Sequence, residues 1–254
     1  MRRRKILYTI IFAALITIAA ATYFYREIDI YAFKFKGYES YETEHFIILF
    51  KPESRSDVPV VANAAEKARY IVGRDFNYFP GEKIPVVIYP DSASLQAAFN
   101  WPADESAQGV YYRGFIYVQA PGALIGGAGG VEKTFFERGP MVHEYTHLVV
   151  DRLTSGNYPR WFTEGVAQYE EERVTGYSLE KDFYVDWSSR YSTKDIFTRF
   201  DELPDVPKAY LQSLDMIKSL AGERGINEIK NVMALLRSGA SADEIFLQRV
   251  RGSL

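Results

Sequence analysis

The chain has 254 residues, of which 47% are hydrophobic and 25% charged, a balance typical of a globular protein with one sizeable domain or two small ones. It contains no cysteine, which excludes disulfides, thiolate metal sites and cysteine nucleophiles. Its formal net charge is −3, and without the basic cluster at residues 2–5 the remainder is more acidic, which argues against binding to nucleic acid or to anionic lipid.

The first 25 residues predict a membrane segment. Arg2–Lys5 is basic, and Ile6–Tyr25 follows without a charged residue. Twenty helical residues span roughly 30 Å, the thickness of the hydrocarbon core of a bilayer. We therefore expect an N-terminal transmembrane signal anchor at residues 1–25, a single pass with the N-terminus in the cytoplasm and the rest of the chain outside. A cleaved signal peptide, which would make the protein secreted, is the alternative, because Ala19-Ala20-Ala21 fits a small-residue cleavage site.

The next part of the chain predicts alternating strands and helices. Residues 26–42 are expected to be a juxtamembrane connector, and a folded domain is expected over residues 43–254. Runs of β-branched and aromatic residues predict strands, and apolar residues at helical spacing predict helices. The predicted elements are a strand at Thr43–Phe50, a helix at Asp57–Tyr78, a strand at Lys83–Tyr89, a short helix from Asp91 or Ser92 to Phe99, and a hairpin of Gln108–Tyr112 with Phe115–Gln119.

A glycine-rich segment, Gly122–Gly130, follows the hairpin. It lacks the Gly-Lys-Ser/Thr ending of a phosphate-binding loop and does not follow a strand with dinucleotide-fold spacing, so we expect no nucleotide. Two interpretations stay open: a flexible flap near a cleft, or a simple flexible connector.

Residues 143–147 carry a metal-binding pattern, His-Glu-x-x-His. In a helix, His143 and His147 lie at i and i+4, so both imidazoles leave the same face one turn apart. Two ring nitrogens at that spacing can bind one tetrahedral zinc ion, Zn²⁺. Glu144 projects beside the metal, where its carboxylate can take a proton from a water whose pKa the metal has lowered. Gly139-Pro140 predicts the start of this helix, because a proline in the first turn loses no hydrogen bond.

A second motif stands shortly after the histidines. A catalytic zinc takes three protein ligands and keeps one position open, so a third ligand is expected. The segment Trp161-x-x-Glu164-Gly165-x-Ala167-x-Tyr169 offers Glu164, which we expect to open a second helix beside small residues that let two helices approach closely. Together, the two motifs resemble those of the gluzincin metallopeptidases, most closely the membrane-associated peptidase MA-like group.

The resemblance implies a function and a set of site residues. It implies a zinc-dependent peptidase in which His143, His147 and Glu164 bind the metal and Glu144 acts as general base. It also implies a peptide or protein substrate. In the resembled fold a strand at the position of the hairpin lies above the metal as the sheet edge, where a peptide can add by backbone pairing. A hairpin that only closes the sheet is the open alternative.

Two further residues are candidates. Gln168 follows Glu164 by one helical turn on the same face, and we expect it to accept a hydrogen bond from a ligand histidine. Tyr210 resembles the catalytic tyrosine that aminopeptidase-type gluzincins carry at a helix start, and in that role it would stabilise the oxyanion formed on the substrate. Their Tyr-Glu-x-Gly pattern is absent here, so Tyr210 as a packing residue remains the alternative.

The C-terminal part predicts helices at Val206–Ala221, Ile226–Leu236 and Ala242–Val250, after an irregular segment at Arg173–Thr193. The expected fold class is α+β: a zincin-like metallopeptidase domain with a small sheet, an edge hairpin over the active-site helix and a helical C-terminal part, behind an N-terminal transmembrane helix. The expected function is a membrane-anchored, extracytoplasmic zinc metallopeptidase. A non-catalytic zinc-binding domain serving as a sensor or assembly factor, and an amidohydrolase of cell-wall material, are the alternatives.

Overall fold

The computed structural model describes residues 27–102, 107–126 and 130–252 of the chain. In this part of the chain, five strands form one sheet: β1 (Glu39–Glu42), β2 (Phe46–Phe50), β3 (Ile84–Tyr89), β4 (Gly109–Tyr112) and β5 (Phe115–Gln119). Their order across the sheet is β1-β2-β3-β5-β4, which puts β4 at one edge. The outer pairs, β1–β2 and β4–β5, are antiparallel, whereas β2–β3 and β3–β5 are parallel.

Helices precede, connect and follow the strands. Residues 27–35 form α1. The later helices are α2 (Val58–Phe76), α3 (Ser92–Phe99), α4 (Pro121–Ile125), α5 (Val131–Arg138), α6 (Met141–Thr154), α7 (Arg160–Thr175), α8 (Thr193–Thr198), α9 (Val206–Ala221), α10 (Ile226–Arg237) and α11 (Ala242–Gly252). Strands first and helices last make the fold α+β, as predicted.

Both faces of the sheet are covered, which explains why its central strands are apolar throughout. Ile48 and Val86 belong to the main core, which also contains the apolar side chains of α2 and α6. Leu49 and Val87 point the other way and pack in a smaller cluster with Ile30 of α1. The alternation along the central strands β2, β3 and β5 therefore fills two separate apolar layers.

The structure confirms the predicted strands and helices of residues 43–119, with small shifts of their ends. The helix predicted at Asp57–Tyr78 spans Val58–Phe76 and ends at Asn77, whose backbone is left-handed (φ 54°). Asp91 caps α3, because its Oδ1 accepts a hydrogen bond from the Ser94 N–H at 2.7 Å. That side chain supplies an acceptor for an N–H that has no partner inside the helix.

Residues 27–42, within the predicted connector, contain a helix and a strand in the structure. Residues 27–35 form α1, and β1 pairs with β2 from Glu39 to Glu42. Ile30 and Tyr38 are buried on the sheet. Three of the four residues of β1 are exposed at the sheet edge, so the segment carries little of the hydrophobic alternation that marks a strand.

Two predicted features lie wholly or partly outside the described residues. One is the transmembrane segment at residues 1–25; among the residues that the structure describes, no helix is both long and apolar enough to cross a membrane. The other is Gly122–Gly130, of which residues 127–129 are not described, while Gly122–Ile125 belong to α4.

Helix α7 is fixed on both sides by its neighbours. Trp161, which is fully buried, stacks on Phe197 with ring centroids 5.5 Å apart, and its Nε1 donates to Asp243 at 2.8 Å. On another face, Gly165 lies so close to α9 that a Cβ atom there would come within 2.5 Å of the Ser213 carbonyl oxygen. The Glu-Gly pair of the second motif therefore marks the point where the α7 and α9 backbones touch.

Candidate metal centre

Helix α6 presents both histidines on one side. It begins at Met141, directly after Pro140, where the Gly139-Pro140 pair predicts it. The imidazole rings of His143 and His147 have centroids 4.8 Å apart. Apolar side chains anchor the helix in the core and so fix the direction in which the histidines point: Val142, Tyr145, Leu148 and Val149 are all fully buried.

Glu164 comes from α7, which begins at Arg160. The expectation that Glu164 opens this helix is wrong by one turn. Pro159 precedes the helix in an extended conformation (φ −81°, ψ 161°), and the helix starts immediately after it. Glu164 consequently lies in the second turn, where its side chain is only 3% exposed.

Three potential ligand atoms converge between α6 and α7. Glu164 Oε2 lies 3.3 Å from His143 Nε2 and 3.5 Å from His147 Nε2, and the ligand atoms of all three residues lie within 4.8 Å of one another. Donor atoms on a tetrahedral zinc, with bonds of about 2.0–2.2 Å, lie about 3.3–3.6 Å apart. The two distances from Glu164 and the donor set, two imidazoles and one carboxylate, therefore fit a zinc ion.

Each of these histidines has a partner on its other ring nitrogen. His143 Nδ1 lies 3.1 Å from Glu171 Oε2, and His147 Nδ1 lies 2.6 Å from Thr163 Oγ1. An ionised carboxylate can only accept a hydrogen bond, so His143 Nδ1 carries a hydrogen. Nε2 can bind a metal once it has given up its own proton. Neither partner was predicted from the sequence, although Thr163 adjoins Glu164 and Glu171 lies about two turns after it.

The structure corrects the contact predicted for Gln168. Its Nε2 donates to the backbone oxygen of Tyr210 at 2.8 Å and to that of Glu164 at 3.2 Å. Gln168 does lie one turn after Glu164, but its amide binds α9 instead of a histidine. Its contacts join α7 to α9.

At this centre, buried groups of opposite charge shift one another's pKa. Burial alone would lower the pKa of His143, but Glu164 and Glu171 raise it well above its usual range. Burial alone would raise the pKa of Glu164, yet His147, Arg160 and His143 hold it well below its usual range. Glu164 therefore stays ionised in the buried site, which is the state that metal binding requires.

Glu144 lies beside this cluster and is 6% exposed. Burial raises its pKa, against the opposing effect of the two histidines and of a hydrogen bond from the Tyr111 backbone N–H in β4. Gly109, in the same strand, lies so close that a Cβ atom there would come within 2.9 Å of Glu144 Cγ. The edge strand therefore lies directly against Glu144.

Tyr210 is connected to the site through an arginine. Its hydroxyl accepts a hydrogen bond from Arg160 Nη2 at 3.2 Å, and Arg160 Nε lies 3.0 Å from Glu164 Oε1. The ring also packs against Phe200, with centroids 5.6 Å apart. The contact with Arg160 supports the catalytic interpretation of Tyr210, and the contact with Phe200 supports the packing interpretation. Arg160 was missed in the sequence, although its position four residues before Glu164 places it on the same helix face.

The chain matches a protein-family model. The family described as the Peptidase MA superfamily matches residues 71–252. The matched region is well over half of the chain and contains His143, Glu144, His147, Glu164 and Tyr210. No curated protein matches the chain.

Proposed function

The chain belongs to the Peptidase MA superfamily, and from this premise we propose that it is a zinc-dependent metallopeptidase that hydrolyses peptide bonds in peptides or proteins. The observation that carries the proposal is the convergence of His143, His147 and Glu164, with Glu144 buried beside them. Structural zinc sites use four protein ligands, whereas catalytic sites use three and leave one position open. The three converging residues favour a catalytic site.

His143, His147 and Glu164 would hold the metal. Zinc supplies a Lewis acid that lowers the pKa of water to about 7 and polarises a carbonyl group. Glu171 and Thr163 hold the two imidazole rings from behind, through their Nδ1 atoms. Such partners fix the ring orientation and strengthen the ligand nitrogens as donors.

Glu144 acts as the general base and then as the proton donor. Its carboxylate takes a proton from the attacking water and passes it to the nitrogen of the leaving amine. Burial raises the pKa of Glu144, which brings it closer to the pH at which the enzyme works and improves it as a base. β4 lies directly against this side chain, at Gly109.

The substrate is proposed to lie along β4. Among the described strands, β4 is the last at its edge of the sheet and pairs with β5 alone. An extended peptide can add to such an edge by backbone hydrogen bonds. Because β4 also lies against Glu144, a peptide bound there would pass beside the ligand cluster.

Tyr210 is proposed to donate a hydrogen bond to the oxyanion that forms on the substrate carbonyl. Burial and the negative charge of Glu164 raise the pKa of Tyr210, while Arg160 lowers it. The net shift is upward, so the phenol keeps its hydrogen at neutral pH. A neutral hydroxyl is the form that can donate to an oxyanion.

We also propose that the protein is a single-pass membrane protein whose folded part lies on the extracytoplasmic side. The support is the uncharged run Ile6–Tyr25 after the basic residues Arg2–Lys5. Proteolysis of intact and permeabilised cells tests this placement. Digestion of the folded part in intact cells supports it, and protection until permeabilisation contradicts it.

The peptidase proposal is tested on the purified full chain with zinc, assayed on peptide libraries and on cell-wall fragments. We expect about one zinc per chain in the wild type and in Glu144→Gln, and little zinc in a His143→Ala, His147→Ala double variant. Peptide cleavage should fall by roughly 10²–10⁴-fold in Glu144→Gln. Cleavage of cell-wall fragments alone would assign an amidohydrolase. Stoichiometric zinc without any hydrolysis would assign a non-catalytic zinc-binding domain, against which the buried Glu144 argues.

A further inference from the structure

Arg160 is the first residue of α7 and lies one helical turn before Glu164. Its Nε lies 3.0 Å from Glu164 Oε1, and its Nη2 donates to the Tyr210 hydroxyl at 3.2 Å. One guanidinium group therefore contacts both a ligand of the proposed metal and the proposed oxyanion donor. The side chain is 52% exposed, so the guanidinium can be reached from solvent.

The two carboxylate oxygens of Glu164 have different partners. Oε2 faces the Nε2 atoms of His143 and His147, at 3.3 and 3.5 Å. Oε1 faces Arg160. A planar guanidinium fixes the orientation of a carboxylate more strongly than a flexible ammonium does. Glu164 is held with one oxygen toward the histidines and the other away from them.

The same face of α7 holds Tyr210 at two points. Arg160 contacts the hydroxyl, and Gln168 donates to the backbone oxygen at 2.8 Å. Arg160, Glu164 and Gln168 follow one another at intervals of four residues, so all three lie on one side of the helix. The close approach of Gly165 to α9 fixes the distance between the helices. The position of the Tyr210 hydroxyl is thus defined relative to Glu164.

We propose that Arg160 is a positioning residue, which restricts Glu164 to binding zinc through Oε2 alone and holds the Tyr210 hydroxyl beside that ligand. The inference rests on the proposed function and extends it to the residue that keeps the site open. Three ligands that each give one atom leave the fourth position of a tetrahedral zinc for water and substrate. If Glu164 gave both oxygens, it would fill that position itself.

A surface role for Arg160 makes a different prediction. Its Nε also lies 3.7 Å from Asp201 Oδ1, and the Asp201 side chain is 77% exposed. If this exposed contact were its purpose, loss of Arg160 would leave metal coordination unchanged.

Cobalt substitution in the full chain separates these two roles. Co²⁺ accepts the same donor atoms as zinc, and its visible absorption is intense with four ligands and weaker with five or six. Arg160→Gln is compared with Arg199→Gln, which also removes one positive charge, from an exposed arginine that pairs with Glu202 at 2.9 Å. We expect an intense spectrum in the wild type and in Arg199→Gln, and a weaker one in Arg160→Gln. The kcat for peptides should fall roughly 10–100-fold in Arg160→Gln alone, with KM little changed.

Added guanidinium ion, at millimolar concentration, should partly restore both the spectrum and kcat of Arg160→Gln, because the site of the lost group is open to solvent. If Arg160→Gln does not fold, Arg160→Lys replaces it. A lysine contacts one of the two groups at a time, so kcat should still fall.

Three results would overturn the proposal: a wild-type spectrum in Arg160→Gln, wild-type turnover in Arg160→Lys, or a wild-type chain that takes up no cobalt. Failure of the peptidase function would look different. A wild-type chain that shows the four-ligand spectrum, loses it in Arg160→Gln and yet cleaves no peptide would leave the role of Arg160 intact.

Discussion

The hydroxyl of Tyr111 donates to Asp151 Oδ2 at 2.7 Å, and this contact joins the edge strand to the helix that carries both histidines. Asp151 lies one turn after His147 on α6. Gly109, two residues before Tyr111, lies directly against Glu144. The side-chain contact of Tyr111 therefore helps to hold β4 over the proposed catalytic base.

We expect Tyr111→Phe to lower the free energy of unfolding by about 1–3 kcal/mol, because it removes a hydrogen bond to a charged, partly buried carboxylate. KM for peptides should rise, since β4 is the proposed substrate strand. Tyr158→Phe is the matched control: its hydroxyl donates to the other oxygen of Asp151, at 3.3 Å, from the loop before α7. Tyr158→Phe should lower the free energy of unfolding by less than Tyr111→Phe does, and it should leave KM unchanged. Denaturant unfolding and steady-state kinetics measure both, and an equal rise of KM in the two variants would contradict the role of β4.

Tyr210→Phe keeps the aromatic ring and removes only the hydroxyl. If the hydroxyl stabilises the oxyanion, turnover should fall by about 10²–10³-fold, with zinc content and thermal stability unchanged. Tyr177→Phe serves as the control, because its hydroxyl donates to Asp182 on the surface. Full activity in Tyr210→Phe would mean that Tyr210 only packs against Phe200 and has no catalytic role.

The partners of the two histidines should control zinc affinity. Glu171→Gln and Thr163→Val each remove or weaken the hydrogen-bond partner of a histidine Nδ1, and we expect each to weaken zinc binding or activity roughly 10–100-fold. Gln168→Leu should leave zinc affinity near that of the wild type, because the Gln168 amide contacts α9. Competition with a chelator measures all three. Zinc loss in Gln168→Leu as large as in Glu171→Gln would show that Gln168 also supports the ligands.

The periodic features of this chain were predictable from its sequence. His143 and His147 must leave one face of a helix, because four residues make about one turn. The apolar run at Lys83–Tyr89 predicts a central strand. The structure covers both faces of this strand, with α1 on one side and α2 and α6 on the other. In both cases, the information lies within a few adjacent residues.

Contacts between elements were not predictable in the same way. Gln168 and Glu171 follow Glu164 on α7 by four and seven residues, and either spacing puts a side chain near the same face. Only the packing of α7 between α6 and α9 turns Glu171 toward His143 and Gln168 toward Tyr210. Arg160 was missed for the same reason, because its two partners come together only when α9 docks.

The last prediction concerns Glu170, a fully buried acidic residue of α7 that lies near α2. Arg173 Nε lies 3.0 Å from its carboxylate, and Asp75 of α2 is its negatively charged neighbour. Burial raises the pKa of Glu170 from 4.5 to about 7, with Asp75 adding to the rise and Arg173 opposing it. Between these two values, the folded chain keeps a proton that the unfolded chain releases. The folded state is therefore favoured at lower pH and loses up to about 3 kcal/mol as pH rises through this window.

Glu170→Gln removes the titrating group, so it should remove this part of the pH dependence. We expect the wild type to lose stability relative to Glu170→Gln between pH 4.5 and 7, and the difference to level off above that. Unfolding is measured at saturating zinc in both, because metal binding itself depends on pH. Glu172→Gln removes one negative charge from the same helix, where Glu172 pairs with Lys218 at 2.6 Å, and its profile should follow that of the wild type. A constant difference between wild type and Glu170→Gln across the window would mean that Glu170 is ionised in the folded protein throughout.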